Sequence, residues 1–262
     1  MNHLTIDNKN DAKKLMKLSI CAGETLLTNG AEVSRVEDTM VRLCNSRGNI
    51  HNVNSFVTQT GIFLTFEYEN QPFVSFKRVK NTGINLKKIS EVSRFSRKFV
   101  TCNISLDEGM KIIQEINRIS TYSGRTKALF GGLAAAFFTL MFGGNLRDFY
   151  ASFLGSYLVV SILNKIDDFQ FPYFINNFLG AFMASLFAAT SLRLGLGQNL
   201  DKIIIGSIMY LVPGVAITNA IRDTMNGDSL AGLSKAMEAI FSALAIAFGV
   251  GLVLSLHMKG GI

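Results

Sequence analysis

The sequence predicts an α+β cytoplasmic domain, four helices with a small antiparallel sheet, over residues 1–126. An all-α transmembrane bundle of five helices follows over 127–262. Three observations predict this. Residues 1–127 carry 19 Lys+Arg against 12 Asp+Glu while 128–262 carry 7 against 7, so the whole net charge of +7 lies in the first half. The second half holds five uncharged windows, 128–146, 149–164, 169–192, 203–221 and 239–258. Crossing about 30 Å of hydrocarbon takes roughly 20 apolar residues at 1.5 Å each, which places spans near 128–146, 149–164, 171–192, 203–221 and 236–258. Finally, no apolar core follows Lys9, Lys13, Lys14 and Lys17 as a signal peptide would require, so the first half is expected to stay in the cytoplasm.

Within the first half, Leu15, Leu18, Ala22 and Leu26 recur at helical spacing from about Asp11 to Thr28, and Asn29-Gly30 ends the run. Ser34 and Glu37 form a Ser-x-x-Glu capping box, predicting a second helix from Ser34 that buries Val36, Met40, Leu43 and Cys44. Phe56–Thr58, Ile62–Tyr68 and Phe73–Arg78 are β-branched and aromatic, with a turn at Glu69-Asn70-Gln71. Asn85 caps a helix to about Val100, and Ser105-x-x-Glu108 opens another to about Tyr122. The basic charges are interleaved with acids and lack an aromatic-basic RNA signature, which argues against nucleic acid and for a solvated face beside the lipid bilayer. Cys21, Cys44 and Cys102 have no CxxC spacing and read as buried reduced thiols. His3, His51 and His257 are too scattered for a metal site, and nothing in the chain asks for a cofactor.

The second half is organised around Ile203–Asp228. Its uncharged segment is interrupted by Pro213-Gly214 and closed by Asn219, Arg222, Asp223 and Asp228. Proline removes a backbone donor and clashes with the preceding turn, so the helix breaks. In lipid a break survives only where protein or water satisfies the freed groups, which makes the segment a candidate lining or gate for a small polar solute. Arg222 beside Asp223 suits the carboxylate and ammonium of a zwitterion, although an ordinary interfacial pair is the more economical account of them. Asn176 and Asn177 in the third window need partners, either across helices or along a solute path. Lys235 and Glu238, three apart, are placed to neutralise one another. Glu24, Glu32 and Arg35 cluster where the first two helices meet; capping and surface ion pairs explain them, and a cytoplasmic gate is the sharper alternative. No Ser/His/Asp or Cys/His set supports hydrolysis.

Ala22–Glu37, Val57-Thr58-Gln59-Thr60-Gly61, Arg78-Val79, Gly143-Gly144, Pro213-Gly214, Arg222-Asp223 and Gly227-Asp228, in this order, resemble the threonine/serine exporter family from about Leu15 to Leu254. The resemblance implies a secondary exporter of small amino acids in the cell membrane, not an enzyme, with a cytoplasmic N-terminal domain. Larger members add about four more hydrophobic helices. The chain therefore resembles the split form, and its expected partner is a small membrane protein carrying the missing module. A homo-oligomer is the other way to complete a path. Export of small dicarboxylates, or a membrane-anchored sensor or scaffold whose soluble domain binds a ligand, are the competing readings.

Overall fold

The computed structural model describes residues 5–80, 82–120, 122–166 and 172–259. His3 and positions 169–171 of the third predicted window lie outside them. The helices are α1 (Lys9–Thr28), α2 (Val33–Asn45), α3 (Leu86–Thr101), α4 (Leu106–Arg118), α5 (Gly124–Met141), α6 (Leu146–Ile166), α7 (Tyr173–Arg193), α8 (Leu200–Ile208), α9 (Gly214–Met225) and α10 (Ser229–Met258). Strands β1 (His51–Thr58), β2 (Gly61–Tyr68) and β3 (Gln71–Arg78) lie between α2 and α3 in sequence. The chain divides into two compact units, Met1–Thr121 with Val215–Ala236, and Tyr122–Gly214 with Met237–Ile262.

In the first unit, the Asn8 side chain accepts the Asp11 amide and starts α1. Leu15, Leu18, Ala22 and Leu26 are fully buried along one face, where a Leu→Ala change costs about 2–5 kcal/mol. Gly30 ends the helix with φ +89°, a conformation that a Cβ would strain, and the Ala31 amide returns to Leu26 O at 3.1 Å. α2 starts one residue before the predicted Ser34, and the capping box does not form. Glu32 occupies the cap position without a side-chain bond to the α2 amides, and Glu37 Oε1 instead accepts the Val57 amide at 2.7 Å, tying α2 to β1.

The sheet is antiparallel in the order β1-β2-β3, with Phe56, Phe63 and Phe76 in register across its exposed face. Ile62, Leu64, Phe66 and Tyr68 of β2 point the other way, into the core. Glu69 and Asn70 both take positive φ (50° and 56°), as a two-residue hairpin turn needs. Asn85 and Ser105 cap α3 and α4 through the Lys88 and Glu108 amides, as predicted.

Two of the three thiols are less buried than expected. Cys44 is buried, Cys21 is half-buried and Cys102 is exposed, and all three are free. Burial pushes the Cys44 thiol up to about 12. A neutral-pH maleimide is expected to label Cys102 in the native protein and to reach Cys44 only after unfolding; mass spectrometry of labelled peptides checks this, and rapid native labelling of Cys44 would contradict its burial.

A soluble domain followed by a five-helix membrane bundle is not what the chain builds. Among the described residues, α6, α7 and α10 are long and apolar enough to span, and a fourth span arises only if α8 and α9 count as one interrupted element. The first predicted window fails because α5 opens with Arg125 and Lys127 and stops at Met141, ahead of a turn where Gly143 takes φ +85°. The fifth is longer than predicted, because α10 runs 30 residues from Ser229 and includes Lys235 and Glu238. Residues 215–236 group with the N-terminal residues rather than with the other apolar helices.

In the second unit, helices approach through small residues, as lipid-embedded packing favours. A Cβ on Gly132 would meet Phe153 O at 2.9 Å, and one on Gly249 would meet Phe178 O at 2.6 Å. Gly180 and Ala184 are buried within the chain, with Leu211 against Gly180. Gly180, Ala184 and Gly249 are thus packed within the chain, whereas Gly251, two residues beyond Gly249 on α10, is exposed with nothing against it.

Candidate functional site

The helix interruption is where the sequence places it. α8 ends at Ile208, a 3-10 turn covers Met209–Leu211, Val212 is extended, and α9 begins at Gly214. Proline at 213 supplies no donor to continue the ladder. The helix that restarts carries the polar residues of the predicted cluster, and within the first unit they converge on the loop joining α1 to α2.

That loop is held residue by residue. Asn219 Nδ2 donates to Gly30 O at 2.9 Å, Lys235 Nζ to Ala31 O at 3.2 Å, and the Val33 amide to Asp223 Oδ1 at 3.0 Å. Arg222 and Arg35 both donate to Glu32 Oε1, at 2.7 and 3.1 Å, and Asn226 Nδ2 donates to Ser34 Oγ at 2.9 Å. Asp223 is thus the cap that α2 lacks locally, a carboxylate on the unsatisfied amides and positive end of a helix 190 residues earlier in the chain.

Asp223 Oδ2 also pairs with Lys235 Nζ at 3.3 Å, with side chains 0% and 7% exposed. Two buried charges are expensive to desolvate, and the pair is retained only while both partners stay in place. The Arg222–Glu32–Arg35 layer outside it is half open to solvent and correspondingly weaker. Beyond the end of α9, burial and the neighbouring Asp223 charge raise the carboxyl of Asp228 above its ordinary value.

Of the predicted residues, Asn219, Arg222, Asp223, Glu32 and Arg35 come together, and Pro213-Gly214 marks where their helix starts. Glu24 is elsewhere, paired with Lys77 of β3 at 3.3 Å. Spacing assigns Lys235 to Glu238, whereas its ammonium reaches Asp223 and Ala31. Asn176 and Asn177 lie on α7 in the second unit, where Asn176 Oδ1, Asn177 Nδ2, Ser185 Oγ and Ser207 Oγ are buried without a hydrogen-bond partner among the described residues. Asn176 Oδ1 and Asn177 Nδ2 thus make no interhelical hydrogen bond among the described residues.

Sequence reasoning missed the second buried carboxylate, Asp148, as an organiser. Oδ1 accepts the Gln198 and Asn199 amides at 2.7 and 3.0 Å, and Oδ2 accepts the Asn145 amide and Asn199 Nδ2 at 3.0 and 2.7 Å. The signal was Asn145-x-x-Asp148 at a helix start, a local cap pattern that does not reveal the distant loop.

Three helices long and apolar enough to span, with a fourth where the pair interrupted at the proline counts as one element, mark a polytopic membrane protein. Residues 17–257 match the threonine/serine exporter family, ThrE, and the chain belongs to it. It is 27% identical over 251 residues to the Escherichia coli K12 protein named "Probable succinate transporter subunit YjjP", covering 95% of this chain and 96% of that one. The Klebsiella aerogenes protein of the same name is 26% identical over 254 residues, 97% of each chain. The "Threonine/serine exporter" of Corynebacterium glutamicum is 24% identical over 250 residues, 92% of this chain and 51% of its own length. No solved structure matches.

Proposed function

We propose that the chain is a subunit of a secondary exporter that moves small amino acids such as threonine and serine out of the cytoplasm, and that it catalyses no covalent reaction. The observation that carries this reading is the interrupted apolar helix whose continuation α9 holds the Gly30–Ser34 segment through Asn219, Arg222 and Asp223, joined by Asn226 after it and Lys235 on α10. In a transporter a broken helix lines or gates the path, and a buried pair that must be unmade to move the helix is a latch. Asn176 and Asn177 are proposed to line the path, since one buried polar atom of each, Asn176 Oδ1 and Asn177 Nδ2, lacks a partner among the described residues and suits a passing polar solute. The homologue of about twice this length supports a partner: a small membrane protein supplying the second module, in the cell membrane, with the first unit facing the cytoplasm.

A second reading has its own support. The two relatives of matching length are named succinate transporter subunits, and Arg222 would serve a dicarboxylate as well as an amino acid. Everted vesicles containing the chain and its partner, offered labelled threonine, serine and succinate under an imposed ion gradient, decide between them. Uptake of none would remove the exporter reading in favour of a sensor.

The break itself is testable in the same assay. Pro213→Ala with Gly214→Ala is expected to leave expression and insertion intact, because helix propensity rises and apolarity is kept, and to reduce uptake to background. Wild-type uptake by a well-expressed double variant would make Pro213-Gly214 a packing kink.

A further inference from the structure

The first unit contains an open groove of about 640 Å³ between α2 and α3 that the export reading does not use. Arg35, Asp38 and Arg42 line it from α2, and Ser90, Ser93 and Arg97 from α3. On α2 the spacing is i, i+3, i+7, one face of the helix; on α3 Ser90, Ser93 and Arg97 repeat that pattern. Arg35 and Arg42 are separated by about 10 Å along the helix axis at 1.5 Å per residue, with Arg97 on the facing wall.

Two of these guanidinium groups have no carboxylate. Among the described residues neither Arg42 nor Arg97 takes part in an ion pair, whereas Arg35 is already on Glu32 at the groove's end. A guanidinium presents a rigid fork of donors matched to carboxylate or phosphate oxygens. Three of them spread over about 10 Å fit one ligand with separated oxyanion groups better than they fit a single small ion. Serine hydroxyls along α3 add neutral donors. Asp38 opposes an anion in the groove, and its position between Arg35 and Arg42 gives the proposal a test of sign.

We infer that the α2–α3 groove is a binding site for a small anion bearing two or more carboxylate or phosphate groups. Because Arg35 shares Glu32 Oε1 with Arg222, an anion that drew Arg35 away would leave Glu32 to Arg222 alone, so occupancy of the groove is linked to the contact between α2 and α9. The inference stands apart from export: the groove binds or fails to bind whatever the chain transports.

The test is isothermal titration of the purified full-length protein in detergent at low ionic strength, since exposed arginines are screened by salt. The probes are citrate, pyrophosphate and, as a single-charge control, acetate. Saturable binding of citrate or pyrophosphate is expected, and which of the two binds identifies the oxyanion class. Arg42→Gln with Arg97→Gln should weaken that binding about tenfold or more, the effect of losing charge-assisted bonds. Asp38→Asn should tighten it, a change that a merely structural role for Asp38 would not produce. A thermal midpoint equal to wild type shows that each variant is folded. Absence of saturable binding for both multivalent anions, an unchanged affinity in the double arginine variant, or acetate binding as tightly as citrate overturns the site.

Discussion

Replacing Asp223 by alanine is expected to lower the thermal midpoint of the purified protein by about 6–20 °C, the largest loss at any polar residue of the first unit. Removing one partner of a buried ion pair costs about 3–5 kcal/mol, because the other charge is left desolvated and uncompensated; about 2–4 °C per kcal/mol is ordinary for a domain of this size. Lys235 would keep only the Ala31 carbonyl, and the Val33 amide would lose its acceptor. Lys235→Met should cost a similar amount by stranding Asp223. Asp223→Asn combined with Lys235→Met removes both charges while keeping an oxygen for the Val33 amide, so most of the stability should return. If the costs of Asp223→Asn and Lys235→Met, each measured singly, simply add in the double variant, the two side chains are not coupled. The double variant also separates stability from transport: folded but without the latch, it is expected to lose regulated export in the vesicle assay.

The same pair shows what the sequence could and could not convey. Asn219, Arg222, Asp223, Glu32 and Arg35 stand out because charged and amide side chains bordering an apolar break or a helix junction are locally unusual. Their pairing is hidden, since it joins residues about 190 positions apart and no short-range rule reaches that far. Where a local rule does apply, tertiary interactions override it. Ser34 and Glu37 have the spacing of a capping box, but Glu37 serves the Val57 amide and Asp223 caps the helix. Lys235 and Glu238 have the spacing of an ion pair, but Lys235 reaches across to Asp223.

Elements decided by their own residues are legible. α1 follows from the helical spacing of Leu15, Leu18, Ala22 and Leu26, α3 and α4 follow from Asn85 and Ser105 at their caps, and the β2–β3 hairpin follows from β-branched and aromatic runs broken at Asn70. Span counting fails for a related reason. Uncharged windows report composition, whereas helix ends depend on backbone geometry, so a window crossing Gly143-Gly144 reads as one span, and charges inside α10 read as its boundary.

Asp148 carries the second large prediction: Asp148→Asn, although nearly isosteric, should itself cost about 2–6 kcal/mol, and Asp148→Ala, which leaves all four donors without an acceptor, more. The carboxylate is fully buried, and both oxygens act only as acceptors, from the Asn145, Gln198 and Asn199 amides and the Asn199 side chain. An asparagine keeps one acceptor oxygen but turns an NH₂ donor toward two donors, leaving at least two buried N–H groups without partners at about 1–3 kcal/mol each. These hydrogen bonds tie the turn before α6 to the turn before α8, and Asn145 Nδ2 donating to Gln198 Oε1 at 2.6 Å is too exposed to hold the two turns together alone. Limited proteolysis should show the 194–199 turn becoming cleavable in both variants while cleavage in the first unit is unchanged. The thermal midpoint, compared among wild type, Asp148→Asn and Asp148→Ala in one detergent, is the deciding measurement. An asparagine variant as stable as wild type would show that a single acceptor oxygen suffices, and that the two turns are held by something other than this carboxylate.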